Sequence, residues 1–216
     1  MTAGTIFEGS KVSLRVWFRA IWWVTNQKSG VSALGLQRLL GLGSYETAWA
    51  MLHKLRRAMV RPGRDQLSGK VEVDETIIGG RRKFKDGRRP ARYLDKAIVV
   101  VAAEVRGKKI GRIRLKHVAA PSQKTLEAFV KDAVAPGSEV ITDGWSGYSE
   151  LSRKGFIHQP TVINRQGDDI YDHVLPRVHR VAALLKRWLL GIHQGRVSRE
   201  QVDHYRLMFR IENDRR

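Results

Sequence analysis

The first sixty residues carry apolar side chains at helical spacing, with few signals for strands. Leu14, Trp17, Phe18, Ile21 and Trp22 predict one helix with those five along a buried stripe. A second begins after Ser32 with Leu34, Leu36, Leu39 and Leu40, and stops at Gly41-Leu42-Gly43. Ser44 is a good N-cap for a third, whose apolar face is Ala48, Leu52, Leu55 and Met59. Helix, short glycine-containing turn and helix is the outline of a helix-turn-helix. The opposite face of the third helix carries His53, Arg56 and Arg57, a set that could lie along a DNA duplex. A plain three-helix bundle with a charged wet side would show the same pattern.

Arg61-Pro62-Gly63-Arg64-Asp65 breaks this periodicity and reads as a linker, dividing a helical domain (1–66) from a second domain (67–216). The texture then changes. Lys70 to Ile78 reads as a strand, and Lys96 to Val105 is nearly uniform apolar, as expected of a strand covered on both faces. Lys109 to His117 intersperses Ile110, Ile113 and Leu115 with basic residues, which predicts a third, less buried strand. A helix from Ser122 to Val134 would turn Leu126, Phe129, Val130 and Ala133 inward. Glu139 to Thr142 is a further strand, Trp145 to Arg153 a short helix, and Pro176 to Phe209 is helical again. Three adjacent strands followed by helix, strand and helices is the order of an RNase H-like domain. The expected fold class is therefore α/β: an RNase H-like mixed sheet with flanking helices, preceded by a small all-α helix-turn-helix domain.

Composition narrows the function. The 216 residues suffice for one good domain and a small appendage. Forty Lys and Arg stand against 21 Asp and Glu, a formal charge of +19, which points to a polyanionic partner. There is no cysteine, which excludes disulfides and Cys-based zinc sites. The N-terminus has neither the basic nor the apolar part of a leader, and no apolar stretch approaches the roughly 18 residues of a membrane helix. No membrane partner is expected, and the cytoplasm is the expected setting. Between the first two strands, Gly79 to Arg92 holds Arg81, Arg82, Lys83, Lys85, Arg88 and Arg89 among glycines, a composition suited to gripping phosphates or simply to a solvated loop.

Two strand-like runs end in carboxylates: Asp74 in Lys70-Val-Glu-Val-Asp-Glu75 and Asp143 in Val140-Ile-Thr-Asp-Gly-Trp145. Neighbouring strand ends bring distant residues together, and two carboxylates there can hold divalent ions about 4 Å apart against a phosphodiester. Mg²⁺ suits such a site, because it takes few carboxylates and keeps much of its water. The bland role of a strand-end Asp is a turn or cap. Glu75 should face away from Asp74 on a regular strand, and Glu72 lies a full pleat earlier. On the last helix Val178, Val181, Leu185, Trp188 and Leu189 form an apolar stripe. His179 and Lys186, two turns apart, share another face across Ala182 and Ala183.

Three segments carry a resemblance: Leu67 to Gly80, Ile141 to Tyr148, and Leu175 to Gly195, supported upstream by Gly30-Val-Ser-Ala33 and Thr47-Ala-Trp49. Together they resemble the ISXO-like group of bacterial insertion-sequence transposases. The resemblance implies an RNase H-like catalytic domain, cleavage and joining of double-stranded DNA dependent on Mg²⁺ (with Mn²⁺ able to substitute), and a nucleoid-associated cytoplasmic setting. It also implies a homo-oligomer acting on paired element ends. By position Asp74 and Asp143 match the two catalytic aspartates, His179 the third metal-binding place, and Lys186 the lysine that follows.

The chain departs from the group in lacking the Cys-rich zinc ribbon that often precedes the helix-turn-helix. It also carries Leu207 and Met208 where an acidic pair is usual, and ends at Arg216. Truncation at the C-terminus is therefore an expectation. The alternatives are a truncated copy that only binds DNA, and a nuclease of the same fold that cuts without joining.

Overall fold

The structure is a computed structural model that describes residues 2–27, 30–59, 65–79, 96–161 and 174–193. Three helices, α1 (Leu14–Asn26), α2 (Ala33–Leu40) and α3 (Tyr45–Ala58), come first. Ser32 caps α2 by accepting from the Gly35 N–H, and Ser44 caps α3 by accepting from the Thr47 N–H. Gly41 ends α2 in the left-handed region at φ +64°, where a side chain would be strained. Trp17, Ala20, Val24, Leu36, Met51, Leu52 and Leu55 make these helices' own core.

The buried stripe on α1 differs from the one its sequence suggests. Trp17, Ala20 and Val24 point inward, while Phe18 and Trp22 are 60% and 64% exposed and Leu14 is exposed with them. A helix with large apolar residues on nearly every side offers more than one stripe, and periodicity cannot choose between them. A tertiary contact chooses: the Trp17 indole N–H donates to Ser10 Oγ at 2.8 Å, and the ring packs edge-on against Phe7.

The second region is a five-stranded sheet of order β3-β2-β1-β4-β5, with β1 (Lys70–Ile78) at its centre. β1, β2 (Ala97–Arg106) and β3 (Lys109–Val118) form an antiparallel meander. Helix α4 (Gln123–Ala133) then crosses over to β4 (Glu139–Thr142), which runs parallel to β1, and β5 (Ile157–Pro160) runs parallel to β4. This is an RNase H-like mixed sheet. Helices cover both faces: Leu126, Phe129 and Val130 of α4 pack on Val71, Val73, Ile98 and Val100. Val178, Val181, Leu185 and Trp188 of α5 (Pro176–His193) pack on Val99, Val101 and Ile141. Because β2 feeds alternate side chains to both layers, Ala97 to Glu104 is buried without a break, the physical cause of its uniform apolar run.

One local reading changes, and one strand has no signal in the sequence. Trp145 to Arg153 forms two 3-10 turns, Ser146–Tyr148 and Ser152–Lys154, and not one helix. β5 carries no periodicity because its side chains are largely exposed; backbone pairing to β4 alone makes it a strand.

Candidate active site

The site is built on β1. Strand alternation puts Glu72, Asp74 and Ile78 on the α5 side, and Val71, Val73 and Glu75 on the α4 side. On the neighbouring parallel strand, Lys70 pairs with Glu139, Val71 with Val140 and Glu72 with Ile141. Carrying this register one pleat beyond the last pair sets position 143 beside position 74, on strands about 4.8 Å apart. Ile141 packs on the α5 side, so Asp143, two residues on, belongs to the side that Asp74 faces.

Each aspartate is held by its own backbone. Asp74 Oδ1 accepts from the Glu75 N–H at 2.8 Å, and Asp143 Oδ1 accepts from the Trp145 N–H at 3.1 Å. The second is an Asx turn, helped by Gly144 at φ +78°. The turn then packs tightly, since a Cβ on Gly147 would fall 2.4 Å from the Trp145 ring.

Helix α5 brings the third group. Glu72, 2% exposed, accepts from the N–H groups of Arg177 and Val178 at 2.7 and 3.0 Å, and from the Arg177 guanidinium at 3.1 Å. A strand carboxylate thus caps the first turn of α5, where free N–H groups and the helix dipole favour negative charge. The helix begins at Pro176, whose ring suits a first turn. One pleat along β1 from Glu72, and one residue along α5 from Val178, His179 Nε2 lies 3.3 Å from Asp74 Oδ2. The cap therefore sets where the imidazole meets the aspartate.

The carboxylates repel one another. Burial, and then the charge of Asp74, push the Asp143 carboxyl upward against the opposing Trp145 N–H and His179. On the other side of the sheet Glu75 accepts from the Tyr148 hydroxyl at 2.8 Å, and burial raises its carboxyl to about 7, with Asp74 and Asp143 adding to the rise. Burial and the Glu75 charge push the Tyr148 phenol well above its ordinary value.

Among the described residues, no three carboxylate, imidazole or thiol groups stand close enough to enclose a metal ion. The donors present still suit Mg²⁺, which usually takes one or two carboxylates and completes its octahedron with water and phosphate oxygens. Two hard oxygen donors that repel each other are also the arrangement a cation relieves.

The other expected residues fall in several places. Lys186 is exposed two turns beyond His179, beside Ile77, Ile78 and Gly79 at the far end of β1, in a groove of about 500 Å³ shared with Arg187, Leu189 and Leu190. Arg56 is a correction: it is 6% exposed and donates to the Val31 carbonyl at 3.0 Å, so it braces α3 from within and is not on the outer face. Arg57 is exposed, and His53 stacks on Trp49 with ring centres 4.0 Å apart. Arg81, Arg82, Lys83, Lys85, Arg88 and Arg89 lie outside the described residues, as do Leu207 and Met208. Glu72, Glu75 and Tyr148 are the residues that sequence reasoning did not assign. The one signal for them was two carboxylates flanking Asp74 in a strand otherwise apolar, and a buried charge needs a partner.

Comparison with known proteins places the chain in a family. A protein of Halobacterium salinarum, described as an uncharacterized protein in transposable element ISH50, is 25% identical over 223 residues, covering 98% of this chain and 73% of that protein. The model of the ISXO2-like transposase domain matches residues 66–210, the stretch that runs from β1 through both aspartates to beyond α5. With well over half its 216 residues matched, and both carboxylates inside the match, the chain belongs to the ISXO2-like transposase family.

Proposed function

We propose that the protein cuts and joins DNA strands as an insertion-sequence transposase, with Asp74 and Asp143 as its metal-holding pair. One observation supports the reading: the β1–β4 register, carried one pleat past its last pair, brings these two carboxylates to neighbouring positions, and His179 lies against one of them. Asp74 and Asp143 would hold Mg²⁺, or Mn²⁺ in its place, with His179 set against Asp74 to orient it or a metal-bound water. The chemistry such ions supply is activation of the attacking oxygen and stabilisation of the leaving oxygen in an in-line displacement at phosphorus. The chain's own part is positioning. Glu72 fixes the start of α5 and so the height of His179, and the Asx turn aims Asp143. Lys186 and the basic segment 81–89 offer cations to the phosphates on either side of the break. The α2–α3 pair serves as a helix-turn-helix, with His53 and Arg57 toward the duplex, and two or more copies act on paired element ends.

The test is nicking of duplex DNA bearing the element's end, with Mg²⁺ or Mn²⁺, by the wild type and by Asp74→Asn and Asp143→Asn. Wild-type nicking followed by a strand-transfer product is expected, with each substitution lowering the rate by at least about 100-fold, the scale on which losing one group that stabilises transition-state charge acts. Equal rates in all three would remove these carboxylates from the site. Cutting without joining would make the protein a nuclease, and binding without cutting under any metal a DNA-binding protein.

A further inference from the structure

Asp143 lies beyond the last backbone pair that joins β4 to β1, Glu72 with Ile141. The ladder that holds its neighbours in register does not hold it. A chain of hydrogen bonds does. Trp145 N–H donates to Asp143 Oδ1 at 3.1 Å, and Tyr148 N–H donates to the Trp145 carbonyl at 3.1 Å. The Tyr148 hydroxyl donates to Glu75 Oε2 at 2.8 Å, and the Glu75 N–H donates to Asp74 Oδ1 at 2.8 Å. The path begins on one aspartate, passes to the opposite side of the sheet and returns to the other.

We propose that Glu75 and Tyr148 are a positioning pair, which fixes the turn carrying Asp143 so that its carboxylate stays aligned with Asp74 for a shared divalent cation. This rests on the reading of the two aspartates as metal ligands.

Three observations support it. Glu75 points away from Asp74, so it serves no ion on the α5 side of the sheet. It is set against a layer otherwise formed by Val71, Val73, Ile98 and Val100, where an apolar side chain would be the cheaper occupant. A carboxylate held there by one neutral hydroxyl does little for stability, but it gives the turn a directional anchor that an apolar contact lacks. Tyr148, at the end of that turn, is 0% exposed. The Trp145 ring seated on Gly147 leaves the segment between anchor and aspartate little room to shift.

The experiment uses the full chain with Tyr148→Phe, which removes only the hydroxyl, and Glu75→Gln, whose amide oxygen still accepts from it. Mn²⁺ binding is followed by loss of the free-ion paramagnetic signal, well below the melting temperature. Amide hydrogen exchange is read at Gly144 and Trp145, with Val140 and Ile141 as the reference.

Tyr148→Phe should weaken Mn²⁺ binding roughly 10- to 100-fold, the usual effect of losing a partner that orients a ligand. It should also speed exchange at Gly144 and Trp145 but not in β4, while Glu75→Gln stays near wild type in both. A purely structural role would lower the melting temperature and leave these two readouts unmoved. Unchanged Mn²⁺ affinity and unchanged exchange in Tyr148→Phe would overturn the proposal. Asp74→Asn is the control for the underlying reading: if it binds Mn²⁺ as the wild type does, the metal site is elsewhere. The exchange rates then decide alone whether the pair fixes the turn.

Discussion

At the scale of single residues, the carboxylates of β1 divide their work by the alternation of the strand. Glu72 and Asp74 face α5, one capping the helix and the other meeting His179. Glu75 faces away and anchors Tyr148. Its elevated carboxyl has a consequence for stability. Burial holds it near 7, against about 4.5 in an unfolded chain. Between those values the folded protein keeps a proton that the unfolded chain has released, so stability falls as pH rises across the window. Thermal melts in metal-free buffer should show the wild type losing ground to Glu75→Gln from about pH 4.5 to about pH 7. A difference in melting temperature that stays constant with pH would rule this out. The sequence made Asp74 and Asp143 legible because each follows apolar strand residues, but only Asp143 lies at a strand end: β1 runs on past Asp74 to Ile78, because its pairing with β2 continues there. Glu72 stayed hidden because its partners are 105 and 106 residues away, and no local pattern announces a cap supplied from another element.

At the scale of elements, α5 matters as a lever. Its apolar stripe was readable from spacing, and all five predicted positions are buried. Spacing does not say which way a helix lies on a sheet. That follows from Glu72 at its first turn and from Leu189, which shares a core cluster with Ile78 at the far end of β1; together they run α5 alongside β1 in the same direction. Removing the cap should be felt at both ends. Glu72→Ala leaves two N–H groups and a largely buried guanidinium short of an acceptor, a loss of about 3 kcal/mol. Chemical denaturation measures this, and a loss under about 1 kcal/mol would mean that water replaces the carboxylate. The same limit of periodicity explains α1, where the spacing gave the helix but the Trp17–Ser10 bond selected the inward side.

At the scale of the whole molecule, the formal charge of +19 sets the expectation for DNA. Binding to duplex should weaken with salt, log K falling with a slope of about −0.9 for each phosphate neutralised. Arg57→Ala should reduce that slope by about one, because an exposed cation on α3 is lost. Arg56→Ala should leave the slope unchanged and lower the melting temperature instead, since its guanidinium is committed to Val31. Fluorescence anisotropy across a salt series separates the two, and equal slopes for wild type and Arg57→Ala would take α3's outer face out of the DNA contact.

The sequence alone determined the elements whose pattern is local: the capped helices, the apolar strands, the two aspartates that follow apolar residues and the basic charge. These follow from side-chain periodicity and backbone chemistry within a few residues. Only the tertiary structure decided what those elements do together. The β1–β4 register set Ile141 beside Glu72, Glu72 capped the first turn of the helix that carries His179, and the Tyr148 hydroxyl reached Glu75 on the central strand. Each of these is a contact between residues more than sixty positions apart. Its geometry depends on how strands pair and helices dock, and no window of sequence contains that information.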